Sequence, residues 1–268
     1  MYKYRILLSA EKILSAMYPP EEFVLMTAYG PLGIGKSTYA VKVGVDVLLW
    51  WYRHTLFGAY DYTDPEGYKQ ARRKAWDLVK QFIIFHPEQL FKKLNEVGEL
   101  KTRIPIIIWD DAGLWLYALE YKDPFIVRTT KYMNVARTLL GSIFCTTPNP
   151  SYIVRKLRDF PQSYNLSIIK TTGSMKGNDK YRRRAKAYLQ YYNIIKGMRV
   201  TGPKYLDEFT CLMPNHFFKW YKPLRDSYEK MARDLMTTEW DKQKKKSQAV
   251  SLDDYDDLKV PALTLSPY

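Results

Sequence analysis

The sequence predicts an α/β chain with a doubly wound, mainly parallel sheet, an antiparallel strand extension and a C-terminal helical segment. Three observations predict it. The runs "EEFVLMTAYG" (21–30), "RIPIIIWDDAG" (103–113) and "GSIFCTTPNPS" (141–151) have the length and apolar continuity of buried parallel strands. Segments of helical period lie between them. From residue 164 the pattern changes to strand-like runs, and from residue 213 to helix.

The elements follow in order. "MYKYRILLSAEKIL" carries Glu11 and Lys12 and lacks a small-residue cleavage site, so it reads as a short amphipathic helix rather than a signal peptide. After the first strand, Val41, Val45, Leu48, Leu49 and Tyr52 fall at helical spacing, and the apolar opposite face implies burial against a sheet. In 62–82, Asp64 can cap a helix and Pro65 fits its first position; Tyr68, Ala71, Ala75, Leu78 and Phe82 share one face. "FIIF" (82–85) is either a short strand or the helix end. His86 and Pro87 open another helix, with Leu90, Phe91, Leu94 and Val97 on one side. Pro105 is tolerable near the start of the second strand, and 124–140 reads as helix before the third.

"YNLSIIKTTG" (164–173) and "AKAYLQYYNIIKGMRV" (185–200) are expected to extend the sheet antiparallel. A basic loop, "SMKGNDKYRRR", lies between them, and Lys196–Gly197 can turn a hairpin. In 213–246, Phe217, Tyr221, Leu224, Tyr228, Met231 and Leu235 form a helical stripe that Pro223 is expected to divide. The expected organisation is an N-terminal helix (1–20), a core with its extension (21–212), C-terminal helices (213–246) and a flexible acidic tail (247–268) able to dock on basic surface.

Composition narrows the function. Hydrophobic residues make up 46 %, enough for a real core, yet no uncharged apolar run reaches the ~18 residues of a membrane span. Cys145 and Cys211, with His54, His86 and His216, show no metal-ligand spacing. Free thiols in a reducing, cytoplasmic setting are expected. The net charge of +14 favours polyanionic partners. The 23 tyrosines could stack on bases, but most lie at core-like spacing.

"GPLGIGKS" (30–37) satisfies G-x-x-x-x-G-K-S/T in its required setting, a strand before and a helix after. Gly30, Gly33 and Gly35 let the backbone wrap phosphate oxygens closely. The loop formed by Gly30, Pro31, Leu32, Gly33, Ile34 and Gly35 is expected to bind the nucleotide, its N–H groups and the helix N-terminus pointing at the anion. Lys36 can neutralise the β- and γ-phosphates of ATP, Ser37 can ligate Mg²⁺ through its hydroxyl, and Thr38 can help position the α-phosphate. "IIIWDD" supplies the carboxylates: Asp110 on the magnesium side, through water, and Asp111 to orient or deprotonate the attacking water. Thr146, Thr147 and Asn149 end the third strand and are candidates to contact the γ-phosphate and that water; Asn149 is also an ordinary turn residue.

"GPLGIGKST", "IIIWDDAG" and "FCTTPNPS", in this order, resemble the additional-strand P-loop ATPases, which include AAA+ proteins. More narrowly, the chain resembles ATP-binding proteins of archaeal viruses and plasmids that are compared with replication initiators and helicase loaders. The resemblance spans roughly residues 21–160. It implies a P-loop NTPase fold, ATP and Mg²⁺ binding, slow hydrolysis, oligomers and work on DNA. AAA+ members usually carry Asp-Glu where this chain has Asp110-Asp111, and a lid with its arginine is not evident. The strand-like 164–212 better fits ring or packaging ATPases. Asp110–Gly113 matches the D-x-x-G of GTPases, but no N-K-x-D follows; Pro31 and Leu32 occupy the part of the loop where partition-type ATPases carry an extra lysine.

Lys180, Arg182, Arg183, Arg184 and Lys186 form the densest basic segment and can line a DNA backbone; a solvated loop is the bland alternative. Arg137, Arg155 and Arg158 are candidates for an arginine donated to a neighbouring subunit, with Arg158 the choice. Four readings remain open: a DNA-associated ATPase of replication initiation or helicase loading, a packaging or transfer motor, a slow-hydrolysing switch, and a small-molecule kinase using "KYRRRAK" as a flap.

Overall fold

The apolar runs become strands of one seven-stranded sheet, ordered β2-β3-β4-β1-β5-β6-β7. The computed structural model describes residues 6–161, 163–171, 180–193 and 198–253, in two units, Met1–Phe218 and Lys219–Tyr268. The strands are β1 (Val24–Tyr29), β2 (Ile83–Ile84), β3 (Ile107–Trp109), β4 (Ser142–Thr147), β5 (Tyr164–Lys170), β6 (Arg182–Asn193) and β7 (Met198–Thr210). The helices are α1 (Leu8–Met17), α2 (Lys36–Trp51), α3 (Pro65–Leu78), α4 (Pro87–Glu99), α5 (Pro124–Met133), α6 (Arg155–Arg158) and α7 (Asn215–Asp253).

Local signals account for the helix starts. Asp64 accepts from the Gly67 amide at 2.7 Å ahead of Pro65. At α4, His86 Nδ1 accepts from the Glu88 amide, and Gln89 reaches back to the Phe85 and His86 amides at 2.8 and 3.1 Å. "FIIF" resolves into both alternatives: Val79–Phe82 is a 3-10 turn and Ile83–Ile84 a short strand.

β5 departs from expectation. It pairs parallel with β1, and the antiparallel pairings are those of β6, with β5 on one side and β7 on the other. A strand reached by crossover from β4 enters in the parallel sense, whereas a hairpin reverses direction, and strand-forming composition carries no direction. The basic segment also differs: Arg182–Lys186 lies inside β6, not in a loop. The remainder of that expected loop (172–179) and the Lys196–Gly197 turn lie outside the described residues. Pro203 sits in β7, an edge strand, opposite Tyr188 and beside the register shift at Ala187/Tyr188, where a missing N–H costs little.

Alternation assigns the two faces of the central strands. Ile108 and Phe144 face α2: a Cβ on Gly44 would meet Ile108 Cδ1 at 2.6 Å, and Phe144 lies edge-on to Tyr39 at 5.9 Å. Thr27, Trp109 and Cys145 face the other way, toward Met133 of α5 and Leu157 of α6. Burial there pushes the Cys145 thiol up to about 12, so it is an inert core group. Cys211 is also a free thiol, only half-buried.

α1 has no capping side chain of its own at Leu7. Its cap comes from the far end of the chain: Asp207 of β7 accepts from the Leu8 and Ser9 amides at 2.8 and 3.0 Å and from Tyr39 Oη at 2.6 Å. Asp46 accepts from the Leu7 amide at 3.1 Å and from Arg72 at 2.8 Å. Burial lifts the Asp46 carboxyl above its ordinary range, against the pull of Arg72 and the Leu7 amide. The folded state therefore takes up this proton before the unfolded state does, and the site stabilises the fold increasingly as pH falls toward the ordinary carboxylate range. Asp46→Ala strands the Arg72 guanidinium and the amide and is expected to cost about 3 kcal/mol. Asp46→Asn, which keeps an acceptor, is expected to cost clearly less. Urea midpoints of the two variants check this ordering.

The second unit is the greater part of α7. The helix runs through Pro223 rather than dividing there. One missing N–H is a local loss, and the surrounding Lys, Leu, Arg, Glu and Met are strong helix formers. Helix also continues through Ser247–Asp253, the start of the expected tail; residues 254–268 lie outside the described residues. Among the described residues, no helix is long and apolar enough to cross a membrane.

Candidate nucleotide site

Residues 30–35 leave the carboxyl end of β1 and enter α2 at Lys36. Gly30, Gly33 and Gly35 have φ of 144°, 72° and 105°, values that L side chains resist. Space forbids a side chain as well. A Cβ on Gly30 would meet the Ile168 carbonyl at 2.8 Å, and one on Gly35 would meet Cys211 Cβ at 2.9 Å. Lys36 is 7 % exposed, and its Nζ donates to the Gly30 and Pro31 carbonyls at 2.9 and 3.0 Å. Ser37 is half-buried and Thr38 buried in the first turn of α2, while Leu32 projects into solvent at 80 % exposure.

Asp110 follows β3 directly, and β4 separates β3 from β1. The acid-bearing strand is thus not the immediate neighbour of β1; one strand is inserted between them. The site is still assembled on one edge. β1, β4 and β3 are parallel, with Thr27, Cys145 and Trp109 in register, so Ala28, Thr146 and Asp110 share the next level. By alternation Asp110 projects with Ile108 onto the face covered by α2, the helix that Lys36 and Ser37 begin.

Asp110 is 1 % exposed. Its Oδ1 accepts from Thr146 Oγ1 at 2.6 Å, and Thr146 Oγ1 accepts from the Asp111 amide at 2.8 Å. Asp111 is half-buried at φ 52°, a left-handed conformation that Asp tolerates better than most residues. It therefore turns away from the strand line that holds Asp110. Gly113 packs against Thr147 so closely that a Cβ would strike Thr147 Oγ1.

These details sort the polar residues that end β4. The Thr146 hydroxyl is engaged between Asp110 and Asp111, so it orients the acid pair rather than reaching a phosphate. Thr147 Oγ1 donates to the Asn149 carbonyl at 3.0 Å. Asn149 is exposed; its Oδ1 accepts from the amide and hydroxyl of Ser151, both at 2.9 Å, in a turn role. The Gly30 amide donates to the Pro148 carbonyl at 3.2 Å, which keeps this turn beside the loop.

Arg158 lies elsewhere. Its carbonyl accepts from Ser163, just before β5, and the neighbouring Phe160 packs on Phe23, just before β1. That is the amino edge of these strands, opposite the loop, so Arg158 does not reach the phosphate cradle of its own chain. Its Nε donates to Asp159 at 3.4 Å, as does that of the exposed Arg155 at 3.1 Å. Arg137 sits in a turn before β4, at the same edge.

The basic cluster divides by strand alternation. Lys180, Arg182 and Lys186 are exposed, and Arg184 is partly exposed and paired with Glu208 at 2.7 Å. Arg183 points inward, 9 % exposed, and donates to the Ile34 carbonyl of the loop at 3.1 Å. It cannot line a DNA backbone from there, which corrects the reading of the run as one patch. A cleft of about 450 Å³ lies beside the loop, between Leu32 and Ile34 on one wall and Ile168, Lys170 and Arg183 on the other. The brace from Arg183 escaped the sequence reading; its only signal was the odd parity of Arg183 between Arg182 and Arg184.

The strand–loop–helix unit at β1 and α2, on a mainly parallel sheet with an antiparallel extension, is the α/β architecture of P-loop NTPases. The cradle fits a polyphosphate: side chains are excluded at Gly30 and Gly35, a lysine is buried, and a helix N-terminus faces the same space.

No protein-family model matches the chain. The uncharacterized protein B-251 of Sulfolobus spindle-shape virus 1 is 27 % identical over 203 residues, 75 % of this chain and 73 % of that protein. Among solved structures, a KaiC-like protein of Pyrococcus horikoshii is similar at TM-score 0.33 and 11 % identity, over 68 % of this chain and 89 % of its own. The N-terminal domain of zonular occludens toxin from Neisseria meningitidis is similar at TM-score 0.33 and 12 % identity, over 73 % of this chain and 96 % of its own.

Proposed function

We propose that the protein binds ATP with Mg²⁺ at residues 30–38 and hydrolyses it, acting as an oligomer on DNA. One observation carries the nucleotide reading: alternation projects the buried Asp110 onto the face where Lys36 and Ser37 begin α2. Loop amides and Lys36 would hold the phosphates, and Ser37 with Asp110 would hold the metal, which supplies charge neutralisation on the phosphate oxygens. Asp111, at φ 52° just after β3, would orient or deprotonate a water.

The outer face of β6 supports the DNA reading. Arg182 and Lys186, with Lys180 just before the strand and the partly neutralised Arg184, gather cations on one side of the antiparallel extension in a chain of net charge +14. The viral relative supports an origin in a mobile element; replication initiation, helicase loading or packaging in the host cytoplasm, with a partner protein of that machinery, is the setting proposed for it. A slow switch remains the second reading, favoured by the short Asp111 side chain where a glutamate would reach further.

Phosphate release with and without single- and double-stranded DNA tests the proposal, alongside DNA binding across a salt series. Three exposed cations predict a slope of roughly −3 in log K against log salt for duplex DNA. Arg182→Glu with Lys186→Glu is expected to abolish that binding and leave basal phosphate release intact. An absence of DNA binding at low salt would remove the DNA part alone.

A further inference from the structure

Arg183 is the buried member of the basic run. Its Nη1 donates to the carbonyls of Lys180 and Arg182, both at 2.7 Å, which fixes the guanidinium at the start of β6. Its Nε then holds the Ile34 carbonyl at 3.1 Å. A trans peptide plane sets the carbonyl of Ile34 and the amide of Gly35 in opposite directions. Holding that carbonyl toward β6 therefore aims the Gly35 N–H away from β6. Gly35 is fixed from a second side by Cys211 at the end of β7, which closes on its α-carbon. The two antiparallel strands thus brace the residue whose amide precedes Lys36.

We propose that Arg183 is a positioning residue for the nucleotide, setting the Gly35 amide to donate to a phosphate oxygen through its hold on the Ile34 carbonyl. This rests on the nucleotide reading above. The antiparallel extension then has a role at the phosphate site: its β6 presents cations outward at Arg182 and Lys186 and braces the loop inward at Arg183.

The test compares wild type, Arg183→Met and Arg183→Lys in binding of ATP and of inorganic tripolyphosphate, with the Gly35 amide followed by ¹H–¹⁵N NMR. Arg183→Met removes all three donations and is expected to weaken both ligands by about tenfold or more. Arg183→Lys, which keeps the charge and a single-point donor, is expected to recover part of that loss and to keep the fold should the methionine variant fail to. In wild type the Gly35 amide resonance moves on adding tripolyphosphate; in the variants it moves less while the Thr38 amide still responds. A purely structural role would lower the melting temperature and leave the Gly35 response unchanged, which overturns the inference. Wild-type binding lost in Lys36→Ala but retained in full by both Arg183 variants overturns it alone. No binding of ATP by wild type overturns the nucleotide reading and this inference together.

Discussion

Lys36→Ala is expected to abolish measurable ATP binding, a loss of at least about a hundredfold in affinity. The Lys36 ammonium already lies over the loop, held by the Gly30 and Pro31 carbonyls, and it is the cation that the loop itself contains. Arg183 is nearby but committed to the Ile34, Lys180 and Arg182 carbonyls. A triphosphate would thus lose its principal charge partner, with only amides and the helix terminus remaining. The fold should survive. Lys36 is at the start of α2, where alanine is a good helix former, and the two released carbonyls belong to residues at or near the surface. Calorimetric ATP titration beside a thermal melt separates the two effects. Unchanged ATP affinity with an unchanged melt would end the nucleotide reading.

The glycine loop of the candidate site is more legible in the sequence than the order of the strands. A glycine loop between an apolar run and a helical period states its own context, because φ above zero and close backbone approach select glycine locally. Asp110 and Asp111 are legible as acids closing an apolar run, a pattern that a strand-end turn also produces. Strand direction and order were not visible. β5 reads like β6 in composition, yet one is parallel to its neighbour and the other antiparallel, since only the connection decides. The insertion of β4 between β1 and β3 is likewise a long-range choice.

Arginines 182–184 show the same limit at the scale of one strand. As residues they form one basic run. As a strand they alternate, so Arg182 meets solvent and Arg183 meets the loop. The cap of α1 is the extreme case, since Leu8 and Asp207 are 199 residues apart and neither position carries a local signal. Thr146 stands between these extremes. It was a candidate by its place at the strand end, but its hydroxyl joins Asp110 to the Asp111 amide, a link that depends on β3 and β4 being adjacent.

That link sharpens the second large effect. Asp110→Asn is isosteric, and its carbonyl oxygen can still accept from Thr146, so the turn that carries Asp111 should hold its shape. What the variant removes is one buried negative charge, at the level of Ala28 in β1 and Thr146 in β4. Loss of a preorganised charge of this kind is expected to lower phosphate release by about a hundredfold or more. Binding of ATP without Mg²⁺ should be unchanged or slightly tighter, because a carboxylate no longer opposes the phosphates. Asp111→Asn should behave differently, keeping the Mg²⁺ dependence of binding while losing turnover, as befits a residue acting on water rather than on metal. Thr146→Val unlinks the pair and should lower turnover with both acids present. Single-turnover phosphate release across a Mg²⁺ series distinguishes the three. If Asp110→Asn retains wild-type turnover and Mg²⁺ dependence, the carboxylate at the end of β3 does not serve the phosphate site, whatever its position on the sheet.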